Sequence, residues 1–276
     1  MKEFKGIDVS AYQNNIDWKA VKNEGIDFAI IRAGYGQNIK DVFLENNISG
    51  CKNNGIHFGL YWFSYALDTQ MAINEANYIC DIADKYNPDY PICFDYEYDS
   101  YNYAVKKGKA PNVATMVAIA NAFLKRVEER GYYAMCYSNY DYLNRVFNQL
   151  LSKYDIWYAL WGANKGSVKA GIWQYSSKGK IKGIFGNVDL DISYKDYPTI
   201  IANMKKEKEQ EKEQEKESNT AIDLIALKDI YWNKYVALAK DVIRGHYGNG
   251  DKRIQALKAQ GYDSKFVQDI VDCIMR

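Results

Sequence analysis

Short apolar runs recur along the first two-thirds of the chain. Each is long enough for a strand and bounded by polar or turn-forming residues: Phe4–Val9, Phe28–Arg32, His57–Phe63, Pro91–Tyr96, Tyr132–Tyr137, Ile156–Leu160 and Gly171–Tyr175. The segments between the earlier runs are long enough for helices. Asp68 to Lys85 and Pro111 to Arg130 are examples, and Gly131 stands where a glycine closes a helix. Alternation of strand and helix over about 200 residues predicts an α/β fold, a parallel sheet with helices outside it; eight such units would close a TIM-like barrel. The rhythm changes after Leu160. The stretch WGANKGSVKA before Gly171 is polar and glycine-containing, and a crossover helix barely fits in it. Tyr175 to Val188 also lacks a helix-length apolar pattern. The barrel is therefore expected to be regular for about five βα units and to close with strands joined by loops or hairpins.

A second change comes at Lys205. The run KKEKEQEKEQEKE, Lys205 to Glu217, has no apolar residue and cannot bury a face. Residues 205–219 are expected to be a charged, solvent-exposed linker between a domain of residues 1–204 and one of residues 220–276. Helix there is marginal, because like charges four apart repel while opposite charges three apart attract. The last segment predicts three helices, Ile222–Gly245, Asp251–Gln260 and Ser264–Met275. Gly248-Asn249-Gly250 and Gly261 break them, and Asp263 caps the third. This small all-α module occurs once.

Composition narrows the chemistry. A chain of 276 residues suits one large domain and one small one. A net charge of +1 gives no global electrostatic case for nucleic acid or an anionic membrane. The start, MKEFKGIDVS, lacks the apolar core of a secretory signal, and no run approaches the ~18 apolar residues of a membrane span. The expectation is synthesis in the bacterial or host cytoplasm, no membrane insertion, and free thiols at Cys51, Cys80, Cys93, Cys136 and Cys273. The two histidines, His57 and His246, fall one in each half. That argues against a zinc amidase, which gathers several histidines at one site, and against a Cys–His peptidase. His57, inside GIHFGLYWF, reads as a packed or mouth-lining side chain. Hydrolysis here has to run on carboxylates, with no metal or other cofactor. The 25 Tyr and six Trp leave two readings open, a tyrosine-rich core or a groove that stacks sugar rings.

The acids with the most informative placement follow an apolar strand in PICFDYEYD. Asp95 and Glu97 are two residues apart and so share a strand face. Asp8 in GIDVS and Asp189 in GNVDL hold comparable places near the first and last strands. Barrels of this type carry their sites at the C-terminal strand ends. Four acids gathered there would repel, and one would keep its proton near neutrality, as a general acid for glycosidic cleavage requires.

The blocks DVSAYQNNIDW, FAIIRAGYG, GLYWFSYA, FDYEYD and WQYSSKGKIKGIFGNVDLD, in this order across about residues 4 to 198, resemble glycoside hydrolase family 25. The resemblance implies a barrel of five βα units closed by three further strands, and lysozyme activity on the bond between N-acetylmuramic acid and N-acetylglucosamine of bacterial peptidoglycan. It implies Glu97 as general acid/base and Asp95 as the carboxylate beside it, either nucleophile or partner of the 2-acetamido group. Asp8 and Asp189 match the other two acids, with Asp191 as the reserve for Asp189. Tyr61 is expected to line the sugar groove, with Tyr35, Tyr137, Trp161 and Gln174 as further candidates, and Arg32 to pair with the acids. A chitinase would show a longer acidic run than ICFDYE. A wall-binding protein without catalysis would have no need of all four acids.

The segment from about residue 234 resembles the cell-wall-binding repeat at the C-terminus of some phage lysozymes, through LAKDVIRG, YGNG, Arg253 and GYD. This implies a phage endolysin or an autolysin that acts at the wall, with Tyr247, Asn249, Asp251 and Arg253 as candidates for the binding face. A single copy forgoes avidity unless chains oligomerise through this module. An internal start at Met204 would release linker and module together.

Overall fold

Strand alternation sorts the apolar residues onto two faces, and each face builds its own core. The computed structural model describes residues 2–162, 164 and 166–276, with the side chains of residues 151 and 215–227 outside the description. The chain divides into two compact units, Met1–Lys206 and Glu207–Arg276. In the first, β1 (Phe4–Val9), β2 (Phe28–Tyr35), a short β3 (Ile39–Lys40) hairpinned onto β2, β4 (His57–Phe63), β5 (Ile92–Asp95), β6 (Ala134–Asn139), β7 (Asp155–Ala159), β8 (Ile172–Gly179) and β9 (Val188–Ser193) form one sheet. Leaving β3 aside, neighbours from β1 to β8 run parallel; β9 is antiparallel to both β8 and β1 and closes the barrel.

Helices follow the first five barrel strands. They are α1 (Trp18–Asn23), α2 (Leu44–Asn53), α3 (Thr69–Tyr86), the pair α4 (Tyr98–Lys106) and α5 (Val113–Glu129), and a short α6 (Tyr140–Tyr142) continued as irregular helix to Ser152. Among the described residues no helix separates β7, β8 and β9. The expected five βα units and three further strands are therefore present. The helix α4 was not anticipated, because YDSYNYAVK is polar and tyrosine-rich and shows no apolar stripe.

Inward-facing Phe28, Ile30, Tyr61, Cys93, Met135, Tyr137, Trp157 and Ile172 form the inner core. Ile7, Ala29, Ile31, Leu60, Phe94 and Cys136 on the opposite faces pack against the helices. The N-terminal end of the barrel is plugged by Tyr197 and Ile201, from the first turns of α7 (Tyr197–Ile243). The Tyr197 hydroxyl donates to Asp155 Oδ2 at 3.0 Å, and Tyr133 donates to the same oxygen at 2.6 Å. His57 sits at this end too, exposed and paired with Asp89, and so lies away from the barrel mouth. The five cysteines are unpaired, as expected.

The charged run does not stay irregular. It lies within α7, one helix of 47 residues, and the helix predicted from Ile222 is its continuation. Glu, Lys and Gln are strong helix formers, and the attractions three apart offset the repulsions four apart. In the second unit Leu238, Ala239 and Val242 of α7 pack with Leu257 of α8 (Asp251–Ala259) and Val267, Ile270 and Val271 of α9 (Ser264–Met275). The Asp263 carboxylate caps α9 by accepting from the N–H groups of Lys265 and Phe266. Among the described residues no helix is long and apolar enough to cross a membrane.

Gly6 decides how tightly the inner core closes. It lies in register with Phe28, whose ring fills the space where a Cβ would stand, 2.2 Å from the nearest ring atom. Gly6→Ala is expected to cost about 1–3 kcal/mol through overpacking, read as a lower urea midpoint, whereas Gly25→Ala, with nothing near its Cβ position, tests only the cost of a positive φ.

Candidate active site

The two-residue period of inward positions sets the site. On β9 Asp189 faces Asp8 of β1, and Asp191, one pleat deeper, faces Gly6. Asp95 ends β5. Tyr96 then turns into the outer core, and Glu97 takes the position just before α4, its N–H donating to Ser100 Oγ at 3.1 Å. Asp8, Asp95, Glu97 and Asp189 thus meet in one cleft of about 450 Å³, walled by Tyr12, Arg32, Tyr61, Phe63, Tyr137 and Trp161.

Beneath the cleft runs a hydrogen-bond chain. Gln174 Oε1 accepts from Trp161 Nε1 at 3.1 Å and from the Tyr137 hydroxyl at 3.3 Å. Both partners donate, which fixes the amide so that its Nε2 donates to Asp8 Oδ2 at 2.8 Å. Asp191 raises Asp8 further, and the buried Asp191 Oδ2 has no hydrogen-bond partner. Trp157 Nε1 donates to Asp191 Oδ1 at 2.7 Å. Asp8 is 7% exposed, Asp95 4% and Asp191 1%, so desolvation governs all three.

Burial is the first cause of every shift. It raises Asp8 well above the carboxylate range, reinforced by Asp191 and Asp189. It raises Asp95 likewise, with Glu97 adding to the shift and Arg32 opposing it. Glu97 is pushed up to about 7 by burial and then by Asp99 and Asp189. Asp189 rises to about 6, and Asp191 to about 8. At neutral pH the cleft therefore holds carboxyls in both protonation states side by side.

The other predicted residues separate by depth. Tyr61 and Tyr137 line the floor, each edge-on to Trp157 with ring centroids 5.8 and 4.7 Å away. Trp161 stands at the rim, 61% exposed. Gln174 lines the cleft as expected, buried, and its amide also orients Asp8 and the two rings. Tyr35 does not line the cleft; it packs edge-on to Tyr65 at 6.4 Å. Arg32 pairs with Asp41 at 2.7 Å and not with one of the four acids, because Asp41 at the end of the β3 hairpin reaches its Nε first. Tyr12, Trp157 and Asn187 were not anticipated as lining residues. Period-two alternation along β7 carries the signal for Trp157, whereas Tyr12 and Asn187 lie on loops with no periodicity.

In the second unit Arg253 is spent internally. It donates to Gly248 O at 3.2 Å, Gln268 Oε1 at 2.7 Å and Asn249 Oδ1 at 3.4 Å, which ties the glycine turn to α9. The Tyr247 hydroxyl donates to Gln260, and Asp251 opens α8.

Carboxyls raised in the fold make it bind more protons than the unfolded chain between their ordinary pKa, near 4, and about 8. Stability is fully present below that window and falls as pH rises through it. Urea unfolding followed by tryptophan fluorescence should show a lower midpoint at about pH 8 than at about pH 5. Asp191→Asn, which keeps an acceptor for Trp157, should shrink that difference; an equal difference in both proteins would refute the assignment.

Relatives place these features in a family. The profile described as "Glycosyl hydrolases family 25" matches residues 7–184, and that of the CW_7 repeat matches residues 237–275. Lysozyme M1 of Streptomyces globisporus is 28% identical over 196 residues, 67% of this chain and 66% of that protein. The autolytic lysozyme of Clostridium acetobutylicum is 25% identical over 189 residues, covering 68% of this chain and 55% of that one. The chain thus spans just under two-thirds of the first curated relative and about half of the second. Among solved structures, the autolysin LytC of Streptococcus pneumoniae in complex with a synthetic peptidoglycan ligand superposes with TM-score 0.63 at 30% identity, covering 70% of this chain and 47% of that one. The bacterial lysozyme of Streptomyces coelicolor gives TM-score 0.61 at 26% identity, over 73% of this chain and 97% of that one. With its barrel, its four cleft acids and a family match over residues 7–184, the chain belongs to glycosyl hydrolase family 25.

Proposed function

We propose that the protein is a peptidoglycan hydrolase, a 1,4-β-N-acetylmuramidase acting at the bacterial cell wall, with residues 237–275 holding it there. The observation that carries this reading is Glu97: a carboxyl pushed up to about 7 inside an aromatic-walled cleft that holds three further acids. A glycosidic oxygen leaves readily only when it is protonated as its bond to the anomeric carbon breaks. That needs an acid still protonated near neutrality. Glu97 supplies this proton. Asp95 Oδ1 is buried and has no hydrogen-bond partner. It serves either as the nucleophile at the anomeric carbon or as acceptor for the substrate's 2-acetamido N–H. Asp189, pushed up only to about 6, adds negative field that favours the developing oxocarbenium ion, and Asp8 lies beside it in the cleft. Exposed Tyr12 and Trp161 offer ring faces to the apolar faces of sugars. The relatives' names, two lysozymes and an autolysin seen with a peptidoglycan ligand, support the substrate class.

Glu97→Gln should lower the rate on purified peptidoglycan by about 10² to 10⁴. Borohydride-reduced products of the wild type should end in reduced muramic acid; glucosamine ends would overturn the bond assignment. Activity should also fall as pH rises through about 7, where Glu97 loses its proton.

One wall-binding repeat gives no avidity by itself, and chain association through the second unit would supply it. Ile230, Tyr231 and Trp232 are more than half exposed and give that association an apolar surface. Translation from Met204 would add free copies of the same unit. Expression of the native gene should yield a full-length and a short band that co-elute, the short one lost in Met204→Ile; a single monomeric band would refute both.

A further inference from the structure

The C-terminal face of the barrel carries a second concavity beside the acid cleft. There α4 starts directly after Glu97, α6 leaves the end of β6, and α5, which returns the chain towards the start of β6, begins. The groove between them holds about 510 Å³, and Tyr98, Tyr101, Val113, Met116, Tyr142 and Arg145 are among its walls. Glu97 lines the cleft, and its chain neighbour Tyr98 lines the groove.

The chemistry of this groove differs from that of the cleft. Met116 and Tyr142 form a buried floor, while Tyr98 and Val113 stand about half exposed along its edge. Tyr98 and Tyr142 pack edge-on with ring centroids 5.0 Å apart. The acid nearby, Asp141, is already engaged: Asp141 Oδ2 accepts the Tyr98 hydroxyl at 2.8 Å and pairs with Arg145. Arg145 spends one nitrogen on that pair, and its side chain is 69% exposed, so donors of its guanidinium remain turned to solvent. Next to Tyr142, at 6.3 Å between centroids, lies the buried Tyr96, whose hydroxyl has no hydrogen-bond partner. A sugar ring needs several acceptors for its hydroxyls, and here the carboxylate is taken. A short peptide with methyl side chains and a free carboxylate needs an apolar floor and a cation, and both are present.

We propose that this groove binds the peptide substituent of a glycan strand lying in the cleft, with its methyl groups on Tyr98, Met116 and Tyr142 and one carboxylate on Arg145. The inference rests on the muramidase reading, since a substituent can reach the groove only from a sugar held beside Glu97. The groove then selects strands whose peptides are still attached and have a free carboxylate.

The test compares kcat/KM on peptide-bearing glycan strands with that on strands stripped of peptide by an amidase, for wild type, Val113→Trp, which fills the groove from its exposed edge, and Arg145→Gln. The wild type should prefer the peptide-bearing strands, and each variant should lower that preference by about tenfold, the loss of one well-made contact. An identical preference in all three proteins would overturn the proposal. If the wild type cuts neither strand, the muramidase reading has failed, and the groove is then judged by binding. The full-length chain with labelled methyl groups is titrated with synthetic L-alanyl-γ-D-glutamyl-L-lysyl-D-alanine at millimolar concentration. Shifts at Val113 and Met116 would sustain the groove as a peptide site; unmoved signals would overturn it.

Discussion

The burial of two carboxyls, Asp8 and Asp191, inside the barrel constrains everything above it. Two carboxyls buried this deeply cannot both ionise: neither has a cation partner, desolvation raises both, and Asp191 raises Asp8 further. Trp157 donates to Asp191 Oδ1 and Gln174 donates to Asp8 Oδ2, which gives each buried acid one fixed donor. Gln174 is the pivot: its two amide atoms link Asp8 to Tyr137 and to Trp161 at the rim. A floor built in this way fixes the position of Asp8 without placing a full second charge beneath the cleft.

The inner core makes that floor possible. A barrel of eight strands leaves an interior that side chains just fill. Phe28 occupies the space that Gly6 leaves open, and Tyr90 stacks on Phe28 at 4.5 Å. Tyr197 closes the end opposite the cleft. The polar layer is therefore carried on a packed apolar base. This is the condition under which burial raises the acids.

Much of the barrel was legible because period-two alternation and strand–helix rhythm depend on local sequence. Phe4–Val9 and His57–Phe63 have the observed bounds, and among the described residues no helix lies between β7 and β9. The cleft acids were legible for the same reason, since Asp95 and Glu97 lie at the end of an apolar run. What was not legible depends on partners distant in sequence. Arg32 could not be assigned to Asp41 without the β3 hairpin, and Gln174 could not be separated from a substrate contact without Tyr137, Trp161 and Asp8 around it. In the charged run to Glu217, helix reads as marginal because like charges four apart repel; the helix propensity of Glu, Lys and Gln and the attractions three apart outweigh that in α7.

Asp189 and Asp191 show how little separates two roles. Both are inward-facing on β9, and both are raised by burial. One pleat places Asp189 on the cleft wall, within the field of Glu97, and Asp191 under the floor against Trp157. The shallower acid keeps the lower pKa, about 6 against about 8, because it keeps part of its water. It can therefore carry a charge near neutrality and help hold the proton on Glu97, while the deeper one is held by Trp157 and raises Asp8. A sequence motif with two acids two residues apart contains both functions, and depth within the barrel alone decides which residue performs which.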